Sequence, residues 1–488
     1  MHPEKRLHEE NSRLALTAYA QSEQTNQFKQ WLAALLATLG AFSAGTCLSW
    51  TSPAEPLLLQ VGKPSITTDQ VSWIASLLTL GAFSGAIPAG LLANTIGRKR
   101  SLQVLAVPMF FSWMLIAFSG CVYGLYLARF LAGLVIGAYC VAIPMYVAEL
   151  AEPKIRGTLG SLFQLQITAG ILFEYIVGIT GDLKMIALLP SAVPLVFLIA
   201  FSFMPESPVY LSSKGYVNEA RAALQWFRGA TYDVEDELTK IRDQLRDAER
   251  NKAGITDLVK SRSASRAMII ALGLMVFQQL SGVNAVIFYT ENIFKNAGSE
   301  LPSYVPAIIV GSVMVVATYM STILIDKAGR RILLLISCSV MVACLTCLSV
   351  YFYMQSHAGI KLPFAVPLLS IAVYITVFSL GFGPIPWIML GELFTPKMKG
   401  PASSISAAFN WILAFAVTKL FGNMLDIFGS GFTFALFAGV CVLGTVFVFF
   451  LVPETKGKDM DEIQCMLSGQ DNQVRHIDSD IIIIDVKK

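Results

Sequence analysis

The residues best suited to binding chemistry are neutral amides inside long apolar segments of the chain. A primary amide both donates and accepts hydrogen bonds, so several of them can bind a neutral ligand that carries many hydroxyl groups. In a membrane helix an amide is costly without a partner, so each is either a ligand contact or a contact between helices. Trp387, which follows two prolines, offers an aromatic face to the same ligand, or it packs against lipid or a neighbouring helix. The amides are Gln164, Gln278, Gln279, Asn284 and Asn410.

Three of these amides lie close together around a glycine. At 3.6 residues per turn, Gln279 and Asn284 lie about 140° apart on a helix, and Gln278 and Asn284 about 240° apart. They would not share one narrow face of a regular helix. We therefore expect the helix to unwind near Gly282 and to line a cavity there, as broken membrane helices do.

Charged and turn-forming motifs occur twice, at the ends of corresponding apolar segments. Gly97 and Gly329 suit tight turns, and an arginine follows each of them. The matched residues are Gly97-Arg98 with Gly329-Arg330, Glu149 and Arg156 with Glu392 and Lys399, and Pro205-Glu206 with Pro453-Glu454. A six-helix unit duplicated in parallel is typical of rocking-bundle transporters, in which the ligand site lies between the halves.

The charges at these segment ends form a candidate inner gate. We predict that they pair across the two halves when the inner side is closed and separate when it opens. The alternative is that basic loops only fix the orientation in the membrane. Arg129 lies within a segment, and a membrane arginine nearly always has a partner. The predicted gate charges are Arg98, Arg100, Arg129, Glu149, Arg156, Asp326, Arg330, Arg331, Glu392 and Lys399.

The composition indicates which elements position these residues. Of 488 residues, 55% are hydrophobic and only 14% are charged, whereas soluble domains contain about 25% charged residues. A membrane-spanning helix needs about 20 mostly apolar residues. We therefore predict an all-α membrane protein with twelve transmembrane helices in two parallel six-helix halves. The helices are predicted near 31–50, 71–93, 102–119, 122–147, 158–179, 184–204, 267–290, 304–325, 332–354, 364–390, 402–425 and 431–452.

Positive charge predicts the orientation and the regions of the chain. With both termini cytoplasmic, 30 of the 36 Lys and Arg residues lie in inner segments and four lie in outer loops. The stretches 217–227 and 234–250 are predicted to form short amphipathic helices on the inner face. The regions are a cytoplasmic N-terminus (1–30), an N-terminal six-helix bundle (31–204), a cytoplasmic linker (205–266), a C-terminal six-helix bundle (267–452) and a cytoplasmic tail (453–488).

Several function classes lack the residues that they require. The net charge of +3 belongs to the membrane-flanking loops and gives no reason to predict nucleic-acid binding. The four histidines fall in loops or termini, and the eight cysteines show no metal-ligand spacing, so we predict no metal and no cofactor. The sequence also has no glycine-rich phosphate loop, and we predict that the chain is not an enzyme.

Five strings occur in order along the chain: Pro205-Glu-Ser-Pro208, Gln278-Gln-Leu-Ser-Gly-Val-Asn284, Asp326-Lys-Ala-Gly-Arg-Arg331, Gly383-Pro-Ile-Pro-Trp387 and Pro453-Glu-Thr-Lys-Gly457. Together they resemble the sugar porter family of the major facilitator superfamily, and most of all its facilitative glucose transporters and insect facilitated trehalose transporters. The resemblance implies alternating access and sugar contacts at the matching amides of helix 7. Asn94, Thr95, Met314 and Ser379 depart from the pattern of that family, so the identity of the sugar stays open.

The acids in the predicted spans indicate whether transport is coupled to protons. The predicted helix 1 (31–50) contains no charge, which favours downhill uniport of a hexose or trehalose. Glu174 is the one acid in a predicted span, and it is the candidate proton site of the alternative, a proton-coupled sugar symporter. A non-transporting sugar sensor is an alternative of another class. We expect a monomer in the plasma membrane, with a sugar and the lipid bilayer as partners, and the run Ile481–Ile484 as a sorting or partner patch.

Overall fold

The computed structural model describes residues 27–60, 66–229, 232–250, 258, 261–298, 301–302, 304–358 and 363–468. Within these ranges all regular structure is helical, which confirms the predicted all-α class. The predicted patch at Ile481–Ile484 lies outside the described residues.

The first half of the molecule is followed by three linker helices. Its helices are α1 (Gln27–Ser49), α2 (Thr51–Gln60), α3 (Thr68–Ile96), α4 (Arg98–Phe118), α5 (Val122–Leu150), α6 (Arg156–Val177) and α7 (Met185–Ser202). The linker helices are α8 (Pro208–Ser213), α9 (Val217–Arg228) and α10 (Glu235–Arg250). These three pack through a small apolar cluster of their own, which includes Tyr210, Leu224 and Leu238.

The second half has the same number of crossings, but two of its spans are broken. Its helices are α11 (Arg262–Leu280), α12 (Val283–Phe288), α13 (Thr290–Asn296), α14 (Tyr304–Ala328), α15 (Arg330–Tyr353), α16 (Ala365–Leu380), α17 (Ile385–Leu393) and α18 (Pro396–Leu451). A short helix, α19 (Met460–Ser468), follows α18.

One helix is too long to cross a membrane only once. α18 has 56 residues and at 1.5 Å per residue would measure about 84 Å, whereas a hydrocarbon core is ~30 Å thick. Its backbone leaves the helical region at Gly429, with φ 76° and ψ 164°. After this turn, Gly431 O accepts from Ser349 Oγ at one end of α15, and Phe449 O accepts from Arg331 Nη2 at the other end. α18 therefore holds two crossings, and the eleven apolar helical spans of the described chain supply the twelve that were predicted.

Two spans of the bundle differ from regular single helices. The predicted helix 1 ends at residue 50, but α2 follows α1 directly and extends the span to Leu59. This extension places Glu55 inside the bundle, where the sequence predicted a loop. The predicted span 267–290 is broken at Gly282, between α11 and α12, with φ 89° and ψ 11°, which confirms the predicted unwinding. Glycine adopts this left-handed conformation without steric cost.

The two ends of the bundle carry different residues. We call the end with Arg98, Glu149, Arg330 and Glu392 the basic end, and the end with the turn at Gly429 the opposite end. The halves contact each other along α3 with α18 and along α6 with α14.

Small residues allow α3 and α5 to pack with their backbones in contact. A Cβ atom on Gly85 would lie 1.9 Å from Leu134 O, and one on Gly137 would lie 2.0 Å from Ala82 O. Each helix carries two such glycines four residues apart, the spacing of close helix pairs in membranes. These glycines are Gly81, Gly85, Gly133 and Gly137.

Gly137→Val is expected to remove most of the folded protein, because the added side chain would overlap the backbone of α3. Overpacking destabilises a protein by about 1–3 kcal/mol, and by more in some cases. The yield of monodisperse protein in size-exclusion chromatography and its Tm measure the effect. Gly90→Val on α3 is the matched control, since a Cβ there meets no atom within 4 Å. Similar yields for the two variants would contradict the close packing.

Candidate functional site

Four of the predicted amides form one continuous hydrogen-bonded chain between α11, α12 and α18. Asn284 Nδ2 donates to Gln279 Oε1 at 2.6 Å, and Gln279 Nε2 donates to Asn410 Oδ1 at 2.8 Å. Asn410 Nδ2 donates to Gln278 Oε1 at 2.7 Å. Gln278 Nε2 ends the chain by donating to two carbonyl oxygens between α16 and α17, at 2.7 and 2.8 Å.

The amide chain is fixed at one end and accessible at the other. Gln278, Gln279 and Asn410 are buried, whereas Asn284 is half-buried. Every link uses a donor of one amide and an acceptor of the next, so the side chains hold one another in place. Asn284 Oδ1 makes no hydrogen bond with a described residue and remains an acceptor at the accessible end. Such an array of neutral groups suits hydroxyl groups of an uncharged ligand.

Two predicted contacts lie outside the amide chain. Gln164 on α6 is half-buried in the other half, and no hydrogen bond to a described residue joins it to the amides. Trp387 is 39% exposed. Trp411 was missed by the sequence reasoning: it directly follows Asn410, is 9% exposed, and its Nε1 has no acceptor among the described residues. An aromatic residue next to a predicted amide was the signal that could have identified it.

At the basic end of the first half, the repeated motifs meet in one cluster. Arg98 Nη2 lies 2.8 Å from Glu149 Oε1, and Ser207 Oγ donates to the other oxygen of the same carboxylate. Glu206 accepts hydrogen bonds from the backbone N–H groups of Arg98 and Lys99, both at 3.0 Å. Glu206 therefore accepts hydrogen bonds from the first backbone N–H groups of α4, which have no acceptor within the helix itself.

The second half repeats this cluster. Arg330 Nη2 lies 3.0 Å from Glu392 Oε1, and Thr455 Oγ1 donates to Glu392 Oε2 at 2.5 Å. Glu454 accepts from the backbone N–H groups of Arg330 and Arg331 at 2.9 and 3.0 Å. Burial raises the pKa of Glu454, but four backbone N–H groups that donate to its carboxylate outweigh burial and hold the pKa below its ordinary value.

At the basic end, both ion pairs join residues of the same half. They form because the helix end carrying each glutamate lies beside the start of an arginine-bearing helix in its own half. The predicted pairing across the halves refers to a conformation that is closed at this end, and it stays a prediction. Among the described side chains, the other predicted charges make no ion pair in these clusters. Arg100 and Lys399 are exposed, and the side chain of Asp326 lies outside the described residues. Arg156 donates to Ala151 O, and Arg331 donates to Phe449 O.

Arg129 does not belong to the basic end, which corrects its prediction as an inner gate charge. It lies 20 residues before Glu149 on α5, a distance of about 30 Å along the helix. Its guanidinium is fully buried near the opposite end and donates to Ile74 O at 3.2 Å, Cys47 O at 2.7 Å and Thr51 Oγ1 at 3.1 Å. Arg129 thus ties α5 to three other helices of the first half, α1, α2 and α3.

Glu174, the predicted proton site, is fully buried on α6. Neither of its carboxylate oxygens makes a hydrogen bond with a described residue. The neighbouring Tyr175 donates instead to a carbonyl oxygen of α12 at 2.8 Å. Glu174 interacts electrostatically with Arg129, the buried cation of the same half. The sequence predicted Glu174 as the one acid within a span, and the structure also buries two acids that follow predicted spans, Glu55 and Glu291, which are 2% and 4% exposed.

The two halves are bonded to each other at the opposite end. Lys419 Nζ lies 2.5 Å from Asp69 Oδ1, and Ser72 Oγ donates to Lys419 O at 2.7 Å. The hydroxyl groups of Tyr175 and Thr290 lie 3.1 Å apart. Among pairs of described residues, every hydrogen bond that joins the halves lies at this end. The structure therefore represents a conformation that is closed at the opposite end.

Known proteins share this sequence pattern. A family model described as "Sugar (and other) transporter" matches residues 14–467. The chain belongs to this sugar transporter family. Proteins named facilitated trehalose transporter Tret1 are 41% identical in Drosophila grimshawi and 38% identical in Bombyx mori, over 453 and 449 residues. Membership confirms the resemblance seen in the sequence and the prediction that the chain is not an enzyme.

The extent of these matches differs between relatives. They cover 91% and 92% of this chain, but 49% of the Drosophila grimshawi protein and 88% of the Bombyx mori protein. The chain therefore spans about half the length of the Drosophila relatives that it matches.

Solved structures share the fold of this sugar transporter family member. The xylose transporter XylE from E. coli, in a partially occluded inward open conformation, has a TM-score of 0.75 and 26% identity, covering 88% of this chain and 99% of that chain. XylE described as a major facilitator superfamily proton:xylose symporter, bound to 6-bromo-6-deoxy-D-glucose, has the same TM-score and 25% identity, covering 91% and 100%. The predicted major facilitator fold and multi-pass membrane architecture are confirmed.

Proposed function

We propose that this chain carries an uncharged sugar, a hexose or trehalose, down its concentration gradient by alternating access. The observation that carries the proposal is the amide chain from Asn284 to Gln278, which presents neutral donors and acceptors in fixed positions. Gln164, Trp387 and Trp411 would complete the sugar contacts. The names of the insect relatives favour trehalose as the first sugar to test.

In this proposal the two ends of the bundle have different tasks. The clusters at the basic end, each confined to one half, keep the helices of that half together while the halves move. The contacts at the opposite end, which join the halves, break when that end opens. The basic end would face the cytoplasm, with both termini on that side and a monomer in the plasma membrane as the functional unit.

A proton-coupled symporter is the second candidate. Glu174 is a fully buried acid that interacts electrostatically with Arg129, and a related structure is described as a proton:xylose symporter. Glu174 would take up and release the coupled proton in that case. Uniport is favoured because the hydrogen-bond acceptors of Arg129 among the described residues are all uncharged, so no carboxylate is bonded directly to this cation.

We expect oocytes that express the chain to take up radiolabelled trehalose, glucose or fructose in a saturable way. For a uniporter, a non-metabolised sugar reaches the external concentration and goes no higher, at external pH 5.5 and at 7.5. Accumulation above that level at pH 5.5, abolished by Glu174→Gln, would make the chain a symporter. Surface expression without uptake of any of these sugars would contradict the proposal and favour a sensor.

A further inference from the structure

Two breaks in the second half leave backbone carbonyl groups without a helical partner. The span of α11 and α12 is broken at Gly282, and the span of α16 and α17 is broken at residues 381–384. We call these the Gly282 break and the 381–384 break. Pro386 has no N–H, so it cannot donate to Phe382 O, four residues earlier. In an apolar bundle each such oxygen needs a donor from elsewhere.

Each broken span supplies a donor that the other one lacks. Gln278, on α11 before the Gly282 break, donates through Nε2 to Phe382 O at 2.7 Å and to Gly383 O at 2.8 Å. Tyr374, on α16 before the 381–384 break, donates through its hydroxyl group to Ser281 O at 3.0 Å. Among the described residues, no backbone N–H donates to any of these carbonyl oxygens. The two spans are therefore bonded to each other in both directions.

These hydrogen bonds lie in a region that water does not reach. Gln278 and Tyr374 are 4% and 1% exposed, and Ser281 and Phe382 are completely buried. A buried carbonyl group that loses its donor keeps the full cost of its desolvation. Both hydrogen bonds of the Tyr374 hydroxyl group to described residues go to Ser281, the second one to Oγ at 3.4 Å. Removing this hydroxyl group therefore acts directly on the Gly282 break.

The hydroxyl group of Tyr374 also fixes the backbone on which the amide chain turns. Ser281 lies between Gln279 and Asn284 in the sequence, and its hydroxyl group donates to Gln278 O at 2.7 Å. The turn at Ser281 orients Asn284, the accessible amide, so that it donates back to Gln279. Tyr374 makes no hydrogen bond with these amides among the described contacts, so its effect on a sugar acts through the turn.

We propose that Tyr374 and Gln278 couple the two breaks, so that both open and re-form as one unit, and that Tyr374 is a positioning residue for the sugar site. Bending of one span at its break moves a donor away from the carbonyl groups of the other, which makes separate bending costly. A sugar bound at Asn284 therefore stabilises the backbone at both breaks. The role of Tyr374 in sugar binding rests on the proposed function, whereas the coupling of the breaks does not.

Hydrogen–deuterium exchange of the purified protein in lipid nanodiscs, without sugar, tests the coupling. Backbone N–H groups of α12 report the opening of the Gly282 break, and those of α17 report the opening of the 381–384 break. Tyr374→Phe removes one hydroxyl group, and Gln278→Met removes the amide from a side chain of similar length. We expect each variant to speed exchange at least about fivefold in both helices and to leave exchange in α4 unchanged.

Sugar uptake tests the positioning role of Tyr374. We expect Tyr374→Phe to raise the KM of the carried sugar about fivefold, because the turn no longer holds Asn284 in place before the sugar binds. Uptake at saturating sugar, divided by the amount of protein at the cell surface, should stay within about twofold of wild type, since the amides themselves are intact.

Tyr146→Phe is the matched control. Tyr146 is fully buried in the first half, and its hydroxyl group donates to Pro205 O at 2.8 Å, so the variant loses a bond of the same kind far from both breaks. It should match the wild type in the exchange of α12 and α17 and in KM.

Faster exchange confined to α12 in Tyr374→Phe and to α17 in Gln278→Met would show that the breaks move separately and would overturn the coupling. Wild-type exchange in Tyr374→Phe would do the same, and a wild-type KM would refute its positioning role. Because exchange is measured without sugar, it decides the coupling whether or not the chain carries any of the tested sugars.

Discussion

Gln279→Ala is expected to lower the initial rate of sugar uptake by at least about tenfold. Gln279 is the central link of the amide chain, since it accepts from Asn284 and donates to Asn410. Its loss leaves two polar groups unpaired in a mostly buried site, which costs about 1–3 kcal/mol for each group. Without Gln279, the amides of Asn284 and Asn410 would no longer be held in the orientation that binds the sugar. Uptake rates, divided by the amount of protein at the cell surface, measure the effect.

Gln103→Ala is the matched control for this variant. Gln103 is also a hydrogen-bonded glutamine, but it donates to Ser202 Oγ at the basic end, away from the amide chain. Its uptake should stay within about twofold of wild type, the scatter expected for a surface substitution. If Gln279→Ala reduced only the amount of protein and not the rate per molecule, the amides would be contacts between helices instead of sugar ligands.

Arg98→Ala is expected to lower the free energy of unfolding by about 3–5 kcal/mol, the usual effect of removing one partner of a buried ion pair. The side chains of Arg98 and Glu149 are only 9% and 15% exposed, so Glu149 would remain as a poorly hydrated charge. Arg330→Ala should cost less, because its partner Glu392 is 25% exposed. Denaturant unfolding of the purified protein in detergent, followed by tryptophan fluorescence, gives these values.

Two further variants show whether burial causes the loss. Arg221 pairs with Glu235 in the linker at 2.5 Å, but these side chains are 40% and 55% exposed, so Arg221→Ala should leave the unfolding midpoint unchanged. The double variant Arg98→Ala/Glu149→Ala should recover part of the stability, since no unpaired carboxylate remains. An Arg98→Ala variant as stable as Arg221→Ala would show that the cluster does not hold the first half together.

The broken span formed by α11 and α12 shows how much of the candidate site could be predicted from the sequence. The angular separation of Gln278, Gln279 and Asn284 predicted a break, and Gly282 supplies it with a positive φ. Asn410 lies more than a hundred residues away, and only the packing of α11 against α18 brings it between two of these amides. Periodicity predicts which side chains share a face of one helix, but it contains no information on which helices become neighbours.

The acids show the opposite case, in which local reasoning misled. Pro53, Glu55 and Pro56 make the stretch after Trp50 look like a loop, because proline interrupts helices and charge is costly in lipid. Pro53 lies in the first turn of α2, the helix continues through Pro56, and Glu55 is covered by α13 instead of lipid. Tertiary contacts therefore overruled the local signals.

By itself, the sequence determined the twelve spans, the duplication and the chemical type of the site, because apolar length, repeated motifs and neutral amides are properties of short segments. The tertiary structure decided which charges pair, placing Arg98 with Glu149 and Arg330 with Glu392 inside their own halves. It also decided that Arg129 belongs to the opposite end and that Glu55 is hydrogen-bonded there to Asn292 of the second half. Pairing depends on which helix ends lie side by side, and this arrangement is fixed only when the helices pack.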